Sequence, residues 1–213
     1  MEATYWHEKW RKNDIGFHES SGNSLLTEFF SQLSLSKGDR VFIPLCGKTR
    51  DIGWLLSEGY RVAGAELSEM AVQQLFEEME LTPEIDQLAS FKHYKAENID
   101  IYVGDIFDLD KKMLQEVDAI YDRAALVALP QDIRPEYTQH LMAITKVAPQ
   151  LLISFEYEQS ELAGPPFSIS SQEIFDRYDE DYHLQMLASR DVPGGLKGLV
   201  PAREVAWLLS KRQ

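Results

Sequence analysis

Two short apolar runs constrain this chain more than any other feature: Arg40 to Leu45 (RVFIPL) and Arg61 to Glu66 (RVAGAE), with a helix-length segment between them. A continuous apolar run bounded by turn residues reads as a strand buried on both faces. Asp51 to Glu58 reads as a short helix closed by Gly59, and Ser68 to Met79 as a second helix capped by Ser68. Strand, helix, strand, helix is the unit of a parallel sheet covered by helices.

The same alternation continues. Ile99 to Val103, Val117 to Tyr121 and Gln150 to Phe155 read as strands, with a helix over Pro135 to Val147 and a short one near Ser171 to Tyr178. Two late runs, His183 to Ser189 and Val205 to Ser210, are expected to pair antiparallel at the edge. The predicted architecture is an α/β, doubly wound, mostly parallel seven-stranded sheet with helices on both faces and an antiparallel edge hairpin. At 213 residues a single domain over 1–213 suits the chain, since one core can still grow at that size. The polar stretch 80–98, with Pro83 and scattered charges, reads as a surface insertion. Upstream of the sheet, Trp6 and Trp10 lie one helical turn apart in the segment Tyr5 to Trp10. Ser24 to Leu33 carries Leu25, Leu26, Phe29, Phe30 and Leu33 at amphipathic helix spacing. Residues 1–36 are therefore expected to form a helical cover.

Composition excludes several classes of function. The longest apolar runs fall far short of the roughly 20 residues that span a bilayer, and Met1 to Trp10 has no apolar block of a secretory signal. Cys46 is the only cysteine, so neither an internal disulfide nor a multi-cysteine zinc site is available, and no metal is expected. A formal net charge of -14 is wrong for a phosphate backbone, which is bound by Lys and Arg. The expectation is a cytoplasmic monomer that handles a small molecule, without nucleic acid or membrane.

In a doubly wound sheet the ligand sits beyond the carboxyl ends of the strands. There the first strand ends in Leu45-Cys46-Gly47-Lys48, where Gly47 lets a ligand approach the backbone closely. An ordinary turn would explain this glycine equally. Glu66 ends the second strand 19 residues after Gly47, near the roughly 20-residue spacing at which a carboxylate meets the two hydroxyls of a ribose. Its competing role is to cap the helix that starts at Ser68. Asp105, in Gly104-Asp105-Ile106-Phe107, is placed to accept from an adenine amino group while Ile106 covers the ring; a turn in which Asp105 bonds its own backbone is the alternative. Arg123 follows Asp122 at the end of the fourth strand, as a site cation or as half of a solvated ion pair.

Three nucleotide readings compete. A Walker loop requires a glycine where Phe42 stands, and a dinucleotide fingerprint requires glycines that are missing between Gly47 and Gly53. A cofactor with a ribose and no phosphate fits better, and the acidic field suits the sulfonium of S-adenosylmethionine. The chain also resembles the thiopurine S-methyltransferase family. The resemblance is carried in order by Trp6-His7-Glu8-Lys9-Trp10, Ile15-Gly16-Phe17-His18, Val41 to Lys48 with its PLCGK, Gly64-Ala65-Glu66-Leu67-Ser68, Ile106-Phe107-Asp108-Leu109, Asp122 to Ala128 (DRAALVA) and Gly164-Pro165-Pro166-Phe167.

That resemblance implies a Rossmann-like class I fold and S-adenosylmethionine as cofactor, with S-adenosylhomocysteine as product. It implies that Trp10, Leu45, Glu66, Ile106 and Arg123 contact the cofactor, that Trp6, Gly47 and Asp105 line the same site, and that Phe17-His18 closes over it and meets the acceptor. The implied acceptor is a small aromatic or heterocyclic thiol such as a thiopurine, with selenium or tellurium species as further acceptors known among bacterial relatives. A heterocyclic thiol ionises readily, so no catalytic base is assigned, and Arg123 and His18 are the catalytic candidates. Arg190, Lys197 and Arg203 are candidate basic residues of a glycine-rich late loop. A nucleic-acid amino-methyltransferase is the chief rival, because Gly164-Pro165-Pro166-Phe167 resembles the D/N-P-P-Y/F motif of that class. Gly164, however, lacks the side chain that binds the amino group. A non-catalytic domain that binds an adenosyl ligand is the rival of another class.

Overall fold

The computed structural model describes residues 3–15 and 22–212. Helix α1 (Ala3–Arg11) precedes α2 (Ser24–Phe29), and then β1 (Arg40–Ile43), α3 (Asp51–Ser57), β2 (Arg61–Glu66) and α4 (Glu69–Glu78) follow. Next come β3 (Glu84–Leu88), β4 (Phe91–Ala96), β5 (Ile99–Val103), α5 (Lys111–Leu114), β6 (Ala119–Arg123) and α6 (Arg134–Thr145). The chain ends with β7 (Gln150–Tyr157), α7 (Ser171–Tyr178), β8 (Tyr182–Asp191) and β9 (Ala202–Lys211).

The strands form one sheet of nine, in the order β3-β4-β5-β2-β1-β6-β7-β9-β8. Its centre, β5-β2-β1-β6-β7, is parallel, and an antiparallel pair flanks it on each side. From β1 the chain winds outward through β2 to β5, then returns to the other side of β1 for β6 and β7. The direction of winding thus reverses at β1 and β6, which is where a crevice opens at the strands' carboxyl ends.

Alternation along the strands sorts the core into two layers. Phe42, Ile120 and Leu152 pack on one face with Tyr137 and Leu141 of α6 and Ile174 and Tyr178 of α7. Val41, Ile43, Tyr121 and Ile153 pack on the other with Leu25 and Leu26 of α2, Ile52 and Leu55 of α3, and Val72, Leu75 and Phe76 of α4. Every residue of β1 is buried, as a strand covered on both faces requires. Ser68 caps α4 through Oγ, which accepts the Ala71 N–H at 3.4 Å.

Two expectations need adjusting. The sheet has nine strands where seven were expected, because 80–98 contributes the hairpin β3–β4, paired in register to β5. The sequence EIDQL of β3 is exposed throughout, so no apolar alternation marked it as a strand. Its partner β4 buries Phe91 and Tyr94, and a Cβ added at Gly104 would meet the Phe91 ring at 2.6 Å. The hairpin thereby fixes a glycine at the end of β5. The other adjustment is a register: the strand expected over Val117 to Tyr121 is Ala119–Arg123, because Asp118 turns aside to accept the Arg40 N–H at 2.7 Å. Arg123 is the last residue of that strand, at the end where it was expected.

The glycine-rich stretch after β8 is an ordered turn. Its ends are joined where the Val192 N–H donates to the Ala202 carbonyl at 2.8 Å, and Leu196 and Val200 bury themselves with Ala202 in a small apolar cluster.

Candidate active site

The rim where β1, β2, β5 and β6 end carries most of the residues singled out by sequence. Glu66 closes β2 and is 6% exposed. Its Oε2 accepts the Gly47 N–H at 2.8 Å and its Oε1 the Ser68 N–H at 2.7 Å. The carboxylate thus ties the end of β2 to the turn after β1 and to the start of α4. Capping and ligand binding do not exclude each other here, because each carboxylate oxygen has a second lone pair. Burial raises the Glu66 pKa, opposed by the main-chain N–H groups of Ser68, Gly47 and Leu67.

Trp10 is 4% exposed and lies on Gly47: a Cβ at that glycine would meet Trp10 Cζ2 at 3.1 Å. Gly47 is also left-handed, with φ 53°. Both facts demand glycine, and they put α1 directly over the turn after β1. Trp6 is half-buried one turn earlier, edge-on to Tyr5 with ring centroids 5.2 Å apart. Gly47→Ala is expected to displace the Trp10 ring and weaken S-adenosylhomocysteine binding about tenfold with the fold retained, since left-handed strain and a close contact each cost roughly 1 kcal/mol. Calorimetry beside circular dichroism tests it, and unchanged affinity in a folded variant would refute it.

Leu45 adopts φ 47° in the turn two residues after β1, and Ala124 adopts φ 63° just after β6. The two strands are neighbours. Side-chain-bearing residues in this conformation store strain and cluster at functional sites. Arg123 is half-buried beside Ala124. Its neighbour Asp122 is not half of a solvated ion pair: it is 0% exposed, accepting the Leu126 N–H at 3.1 Å and the Tyr137 hydroxyl at 2.7 Å. Asp105 is exposed and accepts the Phe107 N–H at 3.0 Å, the turn-forming role that competed with adenine binding. That bond engages one carboxylate oxygen and leaves accepting capacity. Ile106 is buried next to it, and its carbonyl lies 2.8 Å from His140 Nε2. A cleft of about 500 Å³ borders this rim, lined by Leu67, Ser68, Val103 and Gly104 together with His7 and Arg11 of α1 and Lys92 of the hairpin.

Phe17 and His18 lie outside the described residues. Of the late basic residues, Arg190 is committed to both Glu28 oxygens at 2.6 and 2.7 Å. Arg203 donates to the Ser189 carbonyl at 3.1 Å, and Lys197 to the Pro165 carbonyl at 2.7 Å. Gly164 has φ 78°, and a Cβ there would meet the Phe167 ring at 2.5 Å, so the Asp or Asn of an amino-methyltransferase motif has no room. Among the described residues no cluster of three His, Cys, Asp or Glu side chains is set to hold a metal. Sequence reasoning missed Tyr137, His140 and the hairpin's Lys92, for which no local pattern signals proximity to the rim.

A ribose-bearing ligand without phosphate suits this arrangement. The buried carboxylate keeps accepting capacity beyond its main-chain bonds, the indole of Trp10 provides a flat apolar cover, and no glycine-rich cradle for a pyrophosphate is present at the turn. A family model described as thiopurine S-methyltransferase matches residues 1–208. The chain belongs to the thiopurine S-methyltransferase family. Named relatives of this methyltransferase include thiopurine S-methyltransferases of Xanthobacter autotrophicus, 50% identical over 212 residues (99% of this chain and 100% of that one), and of Teredinibacter turnerae, 51% identical over 211 residues (99% and 98%). In fold, the methyltransferase is similar to the 1,6-didemethyltoxoflavin-N1-methyltransferase of Burkholderia thailandensis, solved with S-adenosylhomocysteine (TM-score 0.66, 14% identity, covering 98% of this chain and 87% of that one). It is also similar to an S-adenosylmethionine-dependent methyltransferase of Anabaena variabilis (TM-score 0.65, 14% identity, 99% and 95%). Its fold is therefore that of the S-adenosylmethionine-dependent methyltransferases.

Proposed function

We propose that this protein transfers the methyl group of S-adenosylmethionine to the thiol of a small aromatic or heterocyclic acceptor of the thiopurine kind. The observation that carries the reading is Glu66, a buried carboxylate at the switch point that ties the turn after β1 to the start of α4. S-adenosylmethionine supplies an electrophilic methyl on a sulfonium. The chain's own contribution is placement. Glu66 holds the ribose, Trp6 and Trp10 of α1 cover the cofactor, Leu45, Gly47, Asp105 and Ile106 shape its bed, and Arg123 faces it.

Holding the acceptor in line with the departing sulfur supplies up to roughly 7 to 11 kcal/mol of the barrier in well-oriented cases. Phe17 packs on the acceptor ring and His18 relays its proton, assignments that rest on the family resemblance. Arg123, at the end of β6, steadies the thiolate. The protein works as a monomer in the cytoplasm. Its charge of -14 supports this by favouring solubility, and no described helix is long and apolar enough to cross a membrane.

Incubation with labelled S-adenosylmethionine and a mercaptopurine is expected to give the S-methyl product, with selenite and tellurite as parallel acceptors. Cofactor binding without transfer to any of them would leave a ligand-binding domain instead of an enzyme. In the same assay, His18→Ala is expected to slow turnover and alter its pH profile; an unchanged profile would remove the relay.

A further inference from the structure

Two polar side chains on one face of α6 reach two different turns of the cofactor rim. The Tyr137 hydroxyl donates to Asp122 Oδ2 at 2.7 Å, and the other oxygen of that carboxylate accepts the Leu126 N–H at 3.1 Å. Asp122 therefore spans the left-handed Ala124 and clamps the turn that begins at Arg123. One helical turn along, His140 Nε2 lies 2.8 Å from the Ile106 carbonyl, with its ring 5.7 Å from that of Phe107. A carbonyl only accepts, so this nitrogen carries the hydrogen.

Residues three apart on a helix share a face, so both contacts are made by one rigid element. That element is anchored independently, through Leu141 and Met142 in the core. A helix packed by apolar contacts alone would serve stability as well, and would avoid burying a carboxylate. The polar pair is explained by what it touches: the turn of Ile106 at the end of β5 and the turn of Arg123 at the end of β6.

We infer that α6 is a brace, with Tyr137, acting through Asp122, and His140 as positioning residues that set the separation of the Ile106 and Arg123 turns for cofactor binding. The inference rests on the reading above that Ile106 and Arg123 face S-adenosylmethionine.

Calorimetry with S-adenosylhomocysteine on the full chain tests it, using Tyr137→Phe, His140→Leu, His140→Gln and Arg123→Gln, each checked for folding by circular dichroism and thermal melting. Tyr137→Phe and His140→Leu are each expected to raise Kd about tenfold, the scale of one lost hydrogen bond. His140→Gln, which keeps a donor at a similar reach, is expected to recover most of the loss. A purely structural role would instead lower the melting temperature and leave Kd unchanged. If Arg123→Gln weakens binding while folded Tyr137→Phe and His140→Leu do not, the brace is wrong. Should Tyr137→Phe fail to fold, the His140 pair decides. If Arg123→Gln also binds normally, the reading of the rim falls and the brace with it.

Discussion

Glu66→Ala is expected to reduce S-adenosylhomocysteine affinity by about a hundredfold or more. Two separate losses produce this. The ribose hydroxyls lose a charged acceptor, and hydrogen bonds to charged groups are worth about 1.5 to 3 kcal/mol each. In addition, the buried N–H groups of Gly47 and Ser68 lose theirs, so the turn after β1 and the start of α4 are no longer joined. Glu66→Gln separates this account from one based on shape. The amide has the same outline, yet one end becomes a donor, and each end of the native carboxylate already faces a main-chain donor. Whichever way the amide turns, a donor meets a donor. Glu66→Gln is therefore expected to fall near the alanine variant, again by about a hundredfold on the cost of an unmade buried bond. Calorimetric titration of folded protein decides it, and a glutamine variant that binds like its parent would remove Glu66 from the cofactor site.

The second large effect is on stability. Burial pushes the Asp122 carboxyl from 3.8 up to about 6, although the Tyr137 hydroxyl and the Leu126 and Ala125 N–H groups pull it down. A carboxyl with a raised pKa in the folded state favours folding while it holds its proton. That advantage is complete below the unfolded value and is lost as pH climbs through the folded one. A displacement of this size is worth about 3 kcal/mol. Asp122→Asn does not titrate, accepts the Leu126 N–H through Oδ1 and donates to the Tyr137 oxygen through its amide. Urea denaturation of parent and variant across a pH series is expected to show the difference moving in the variant's favour by about 2.4 kcal/mol between about pH 4 and about pH 7, most of the full displacement. All other groups titrate alike in the two proteins and cancel. A difference that stays flat would mean that Asp122 ionises without penalty.

The central sheet was legible because its strands are buried on both faces, and such strands announce themselves as unbroken apolar runs. RVAGAE and IDIYV are read to the residue as β2 and β5. The hairpin β3–β4 was not, because EIDQL is held by backbone pairing and the apolar contacts of its partner, neither of which has a local signature. At the site, Glu66 and Gly47 were legible through spacing, since a fixed strand-helix-strand unit converts 19 residues into a hydrogen bond. The burial of Asp122 left no mark in the sequence, because its partner Tyr137 sits 15 residues away on α6. His140 reaches Ile106 across 34 residues. Such contacts depend on how α6 crosses the sheet, and composition and periodicity carry no trace of that crossing.

Leu45 and Ala124 follow neighbouring strands with a backbone twist that glycine adopts without strain. Glycine would remove about 1 kcal/mol of discomfort at either position, a gain that Ala124 would keep and that Leu45 would forfeit with the side chain it packs against the core. Both lie beside the rim proposed to hold the cofactor, and a looser floor there would be traded against turnover. Tolerance to temperature and catalytic pace are thus set against each other at Ala124, which marks where an engineered, hardier form of this chain should be left alone.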